Sequence, residues 1–168
     1  MRDLAPGDAG WILMRHAEHY VDGTGFDATF EPLVARVLAD FVDARDPAKA
    51  RGWIAVGADG RRLGSILCAD RGDGDAQLRL FFVEPDVRRA GLGRRLLWAC
   101  IAFAQAAGYR RLCLFTHAEQ AAACALYKRA GFAITGSEAT RSFGVDATVE
   151  AFTLDLDKAD AARAALLQ

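Results

Sequence analysis

The chain has 168 residues, 52% of them hydrophobic and 26% charged, with a formal net charge of −1. One domain with its own core is the default at this length, and the near-zero charge excludes a general nucleic-acid or polyanion binder. No apolar run approaches the roughly 18 residues of a membrane-spanning helix, and Met1–Asp8 carries no apolar signal region, so a cytoplasmic protein is expected. The four cysteines, Cys68, Cys100, Cys113 and Cys124, are not at metal-binding spacing and read as buried free thiols.

In chain order, Arg2–Leu4 reads as a short strand. Pro6-Gly7-Asp8 is a turn, with Asp8 placed to cap a helix that runs to about Tyr20 and is broken by Gly23–Gly25. Arg15, His16, Glu18 and His19 read as its solvated face; in the alternative, Glu18 or a histidine lines a pocket. Phe30, Leu33, Val34, Val37, Leu38 and Phe41 recur at helical spacing, with Pro32 confined to the first turn. Trp53–Val56 and Leu63–Ala69 flank Asp59-Gly60, a hairpin signal, and Arg71–Asp75 is a second turn. Gln77–Val83 is the central strand; its unalternating run Leu80-Phe81-Phe82-Val83 predicts cover on both faces.

Leu92, Leu96, Cys100, Phe103 and Ala107 predict a helix stopped by Gly108, with Trp98 an exposed indole on it. Arg111–Thr116 is a strand parallel to Gln77–Val83 across that helix. Ala121–Ala130 is a helix ended by Gly131. Ala133–Gly136 and Thr148–Leu156 are the last strands, antiparallel, and the tail from Asp157 is a helix or a frayed end.

The chemistry gathers at Leu78–Tyr109, where a strand runs into a loop of glycines and arginines that opens into a helix. Unpartnered N–H groups and the aligned dipoles of a first helical turn favour an anion. Gly91 and Gly93 allow close backbone approach, and Arg88, Arg89, Arg94 and Arg95 offer guanidinium forks suited to phosphate. The spacing is not that of the dinucleotide fingerprint, and no Gly-Lys-Ser/Thr follows as in a P-loop. The plain alternative is a tight strand–helix turn with a solvated basic face.

The run Val83-Glu84-Pro85 and Arg88-Arg89-Ala90-Gly91-Leu92-Gly93 resembles the acetyl-CoA pyrophosphate motif of the GNAT N-acetyltransferases. Ala125-Leu126-Tyr127-Lys128-Arg129-Ala130-Gly131-Phe132 is similar to that family's Leu-Tyr-x-x-x-Gly-Phe segment, in the family's order and separation. The similarity spans most of Met1–Leu156. Gly10–Val42 looks most like the acetyltransferase half of proteins that also carry a MarR-type helix-turn-helix, although no such DNA-binding half is expected within these residues.

The resemblance implies an α/β (α+β) fold: one domain over residues 1–156 with a tail at 157–168, a mostly antiparallel sheet of about six to seven strands, about four flanking helices and one splayed parallel pair. It implies acetyl-CoA as co-substrate, held by Arg88, Arg89, Ala90, Gly91, Leu92, Gly93 and Arg94 at the pyrophosphate. Phe82 and the Val83 backbone would hold the pantetheine arm, with His117 in place of an Asn found in similar proteins. Tyr127 is implied as the acid that protonates the leaving thiolate, a core tyrosine being the alternative. Its phenol, with an ordinary pKa of roughly 10, is a donor at neutral pH.

The sequence marks no general base. Gln77 and Arg79 stand where many relatives place a Glu, and Glu84, Glu18, His16, His19, His117, Glu119 or a water relay are the other choices. Direct transfer to a small-molecule or protein amine in a ternary complex is expected, with Cys124 the one thiol to test as an acyl carrier. Neither a metal nor a nucleic-acid or membrane partner is expected; a homodimer is open. The rival reading is a non-catalytic acyl-CoA sensor or partner-binding module on the same fold.

Overall fold

A computed structural model describes residues 1–43 and 46–158. The Ala-rich tail expected from Asp157 lies outside the described residues from position 159; before it, Leu156–Lys158 close a 3-10 turn. Chain order is β1 (Arg2–Asp3), α1 (Asp8–Thr24), α2 (Phe30–Asp43), β2 (Arg51–Val56), β3 (Arg62–Gly72), β4 (Asp75–Val83), α3 (Leu92–Ala106), β5 (Arg111–His117), α4 (Ala121–Arg129), β6 (Ala133–Ser142) and β7 (Val145–Asp155). They build one seven-stranded sheet, ordered β1-β2-β3-β4-β5-β7-β6, in which β4 and β5 are the parallel pair and every other neighbour is antiparallel.

Strand alternation sends side chains to two cores. Trp53, Ile66 and Cys68 face Leu96, Leu97, Cys100 and Ile101 of α3, while Ile54 and Leu67 face Ile12 of α1 and Val34 and Leu38 of α2. Both faces of the centre are therefore covered by helices. The glycine stops on α3 and α4 have a shared geometry. Gly108 and Gly131 take φ of 78° and 92°, and the next N–H groups, of Tyr109 and Phe132, reach back to the carbonyls of Ala104 and Tyr127, each at 3.1 Å.

Three expectations are corrected. Asp8 does not cap α1; Gly7, at φ 88°, precedes the helix, and Asp8 is its fully buried first residue. Its carboxylate accepts Arg2 Nη1 at 2.5 Å, Arg62 Nε at 2.7 Å and the Ala5 N–H at 2.7 Å, joining the chain's start to β3. α1 continues past Tyr20 to Thr24, stopping at Gly25 with φ 73°. The last hairpin is much longer than expected: β6 runs to Ser142 and β7 begins at Val145, around Phe143-Gly144 with φ of 54° and 81°. Two positive φ angles are the mark of a two-residue turn whose twist suits a hairpin.

Candidate active site

The site is made by the splay between β4 and β5. They pair only from Asp75 and Arg111 to Gln77 and Cys113. Beyond that, Leu80 takes φ 46°, rare for a leucine, and the β3–β4 register shifts between Ser65 and Leu67. This bulge bends β4, and a cleft of about 890 Å³ opens between Phe81, Phe82 and Val83 of β4 and Ala123 and Leu126 of α4. The unalternating apolar run therefore has a different cause from the one its sequence suggested. Phe82 is buried, but Leu80, Phe81 and Val83 are half-buried, because the cleft stands where a neighbouring strand would.

One end of the cleft is the loop into α3. Gly91 precedes the helix at φ 79°, and Arg89 is also left-handed at φ 67°. The first backbone bond of the turn is Arg95 N–H to the Gly91 carbonyl, 3.1 Å; the preceding N–H groups have no partner inside the helix. Arg88, Arg89, Ala90, Gly91, Gly93 and Arg94 all line the cleft. An added Cβ at Gly93 would take up the space between Phe81, Val83 and Leu126, 3.5 to 3.6 Å from each, whereas at Gly91 it would meet nothing within 4 Å. Gly93 thus keeps the cleft open and Gly91 serves the backbone turn. A positive loop at the mouth and a long apolar slot behind it fit a phosphorylated carrier with an extended arm.

Two of the expected cofactor residues stand elsewhere. Leu92 packs against the α3 side of the core rather than lining the cleft. His117 lines a second cavity beside the first, with its ring 5.1 Å from that of Phe26. The Val83 carbonyl already accepts Arg88 Nε at 3.0 Å, so any contact to an arm shares that oxygen's two lone pairs. Trp98 is half-buried and lines the cleft, not an exposed surface.

The second cavity, about 210 Å³, lies under α1 and α2 and is bordered by the tip of the β6–β7 hairpin. The Phe143 carbonyl accepts the Asp27 N–H at 2.8 Å, and its ring lies 5.1 Å from those of Phe26 and Phe30. Tyr20, Phe81, Thr116 and Tyr127 line both cavities and so mark their junction. The sequence did not single out Tyr20, Phe26, Phe30 or Phe143 for a site. Their one local signal is aromatic clustering around Gly25 and Gly144, which reads equally as core.

Tyr127 is 4% exposed, with ring centroids 6.2, 5.8 and 5.7 Å from those of Phe81, Phe132 and Phe152. Its hydroxyl has no hydrogen-bond partner among the described residues, and burial pushes the phenol pKa well up, so it holds its proton. Cys124 lines neither cavity; its Sγ lies 3.7 Å from the His117 carbonyl, and burial pushes its thiol up.

The polar face of α1 is only partly solvated. His16 is 3% exposed, with Nδ1 2.8 Å from the Ile12 carbonyl, and burial lowers its pKa to about 4. His19 lines the main cleft, 3.2 Å from Arg88 Nη2; burial first, then Arg88, lowers its pKa. Arg15 forks onto Glu84, Nε to Oε1 at 2.8 Å and Nη2 to Oε2 at 2.7 Å, which ties α1 to the strand end before the loop. Glu84 is therefore a buried, paired acid, and the exposed Glu18 joins the same arginine. Glu119 is exposed and accepts the Thr148 N–H. Among the described residues, no carboxylate lines either cavity.

Residues 17–132 match the Acetyltransferase (GNAT) family. A mycothiol acetyltransferase of Cellulomonas flavigena is 33% identical over 100 residues, 54% of this chain and 28% of that protein. An IAA acetyltransferase of Azospirillum brasilense is 37% identical over 81 residues, 45% of this chain and 53% of that protein. The chain thus spans about half or less of the length of these curated relatives. Among solved structures, yncA of Salmonella typhimurium, determined with its cofactor acetyl-CoA, superposes with a TM-score of 0.72 at 22% identity, over 93% of this chain and 92% of that one. By the span of that family match, and by the fold and glycine loop that accompany it, the chain belongs to the GNAT family of acetyltransferases.

Proposed function

We propose that the chain moves an acetyl group from acetyl-CoA to a primary amine by direct transfer in a ternary complex. The observation that carries this reading is the junction itself: an arginine-rich loop at one end of the cleft, and a buried Tyr127 where the cleft meets a second cavity. Arg88, Arg89, Arg94 and the first turn of α3 would hold the pyrophosphate, and Phe82 and Val83 the arm. Acetyl-CoA supplies an activated thioester. Tyr127 donates the proton that the departing thiolate needs, and the apolar walls exclude water from that exchange. Cys124, closed off from both cavities, argues against an acyl-enzyme.

With no carboxylate on either wall among the described residues, the amine proton leaves through water or a histidine. That same absence favours a second reading, a non-catalytic acyl-CoA sensor. Acetyl-CoA at about 100 times its dissociation constant adds about 2.7 kcal/mol of stability, a shift of roughly 5–11 °C for a chain of this size. A shift of that size, absent with acetate, followed by thiol release with an amine panel, supports the enzyme. A shift without turnover on any amine supports the sensor; no shift overturns both.

Cytoplasmic residence belongs to the same reading and is supported by four buried free thiols. A homodimer, tested by size-exclusion chromatography with light scattering, and kinship with the acetyltransferase half of MarR-type proteins, resting on Gly10–Val42, complete it.

A further inference from the structure

The second cavity has a composition that selects its occupant. At about 210 Å³ it holds roughly seven waters' worth of liquid volume, below the range of drug-sized pockets. That is room for one small molecule of amino-acid size. Phe26, Phe30, Phe143, Val34 and Leu80 give it apolar walls. Arg79 is the one cationic side chain among its described lining residues besides the histidines, and no Asp or Glu lines it. Burial holds both His16 and His117 below the ordinary range, so neither adds charge at neutral pH.

Arg79 itself is short of a partner. It is half-buried, and burial lowers its pKa while the charge of Asp40 opposes that. No hydrogen bond or ion pair holds its guanidinium among the described residues. A second polar atom is also orphaned: His117 Nδ1 is buried without a hydrogen-bond partner. A guanidinium fork in such a place matches a carboxylate two oxygens at a time. An acceptor bearing a second ammonium, by contrast, would meet a cation and no anion.

We propose that this cavity seats an apolar or aromatic amino acid, its carboxylate on Arg79, its side chain among Phe26, Phe30 and Phe143, and its amine at the Tyr127 junction. The inference rests on the acetyl-transfer reading and names its acceptor. Arg79 and Phe81 stand on β4 on either side of the Leu80 bulge, and both line this cavity. In the transfer, the amine nitrogen forms the new C–N bond to the acetyl carbon as the C–S bond breaks. The α-ammonium loses one proton to water before attack and a second after it, the thiolate gains one from Tyr127, and Tyr127 regains its own from water, giving an N-acetyl amino acid, free CoA and one net proton.

The test is thiol release from acetyl-CoA with L-phenylalanine and L-leucine, set against L-phenylalaninamide and phenethylamine, which lack the carboxylate, and spermidine. The expected result is kcat/KM at least about tenfold higher for the acids than for their carboxylate-free counterparts, with spermidine the poorest. Arg79→Gln then cuts that preference roughly 10- to 100-fold, chiefly through KM, and Arg79→Lys recovers part of it. Equal or better turnover of the amide or phenethylamine, a preference for spermidine, or no turnover of either acid while acetyl-CoA still raises Tm overturns the proposal and leaves cofactor binding standing. Failure of acetyl-CoA to raise the wild-type Tm sinks the transferase reading beneath it. Should Arg79→Gln lose its own acetyl-CoA shift, the wild-type substrate comparison decides alone.

Discussion

Replacing Tyr127 by Phe removes one atom from the junction and little else. The ring keeps its neighbours Phe81, Phe132 and Phe152, and the hydroxyl has no protein hydrogen bond to lose among the described residues. Stability should therefore stay within about 0.5 kcal/mol of wild type, about 1–2 °C in Tm. The cofactor contacts assigned to the arginine loop are untouched, so the acetyl-CoA-induced shift should persist. Catalysis should not persist, because a positioned proton donor contributes about 10²–10⁴-fold, which is about 2.7–5.5 kcal/mol of barrier. The burial that raises the phenol pKa keeps it protonated across any workable pH, so the wild-type rate should show no loss of an acid group from pH 6.5 to 9. Steady-state thiol release with saturating acetyl-CoA measures the outcome: kcat down at least about a hundredfold at unchanged acetyl-CoA KM. A variant with kcat within threefold of wild type would refute the acid role and return Tyr127 to the core.

Gly91→Asp should fold at a cost of about 1 kcal/mol for an L-residue at φ 79°, since its Cβ meets nothing and an acid suits a helix N-terminus, but it places negative charge where phosphates are to bind; isothermal titration should show acetyl-CoA affinity reduced more than a hundredfold, and wild-type affinity would dismiss the loop assignment. Asp8 gives a pH signature: burial alone would raise its carboxyl, but Arg2, the Ala5 N–H and Arg62 outweigh burial and hold it at about 2. Its folded pKa being the lower, it adds about 2.5 kcal/mol above pH 4, lost as pH falls from 4 through 2; urea titrations of Asp8→Asn should show a flatter acid limb, and an unchanged limb would discount the ion pair. Arg15→Met leaves Glu84 buried and unpaired, at a cost of about 2 kcal/mol in chemical denaturation, which Glu84→Gln added in the same chain should partly restore; additive losses would mean the fork is not coupled.

Most of the fold was legible because its signals are local. Glycine stops after α3 and α4, the Asp-Gly turns and the parallel crossover each depend on a few adjacent residues, and each stands where the sequence put it. The errors arose where tertiary context chose between readings that look alike in sequence. Phe143-Gly144 carries no conventional turn residue at its first position, so the long β6–β7 hairpin was invisible; its phenylalanine accepts a left-handed backbone because it closes over Phe26 and Phe30. His16 read as a solvated polar group and Glu84 as a candidate base until α1 lay across the end of β4, which buried one histidine and gave one carboxylate its arginine.

The site divides along the same line. Its phosphate end is a contiguous stretch, Arg88–Arg94, and a contiguous motif is readable without a fold. The proposed acceptor end is assembled from α1, α2, β4, β5 and a hairpin tip, with Tyr20, Phe30, Arg79, His117 and Phe143 far apart in the chain. No periodicity joins them. The Leu80 bulge does: a single left-handed residue ends the β4–β5 pairing after Gln77, and the gap it leaves becomes both the slot for the cofactor and the wall that Tyr127 faces. Residues on β4 before the bulge, Gln77 and Arg79, consequently line the second cavity, while those after it, Phe82 and Val83, line the main cleft. Phe81 alone of that strand lines both, which is why the chemistry belongs beside it.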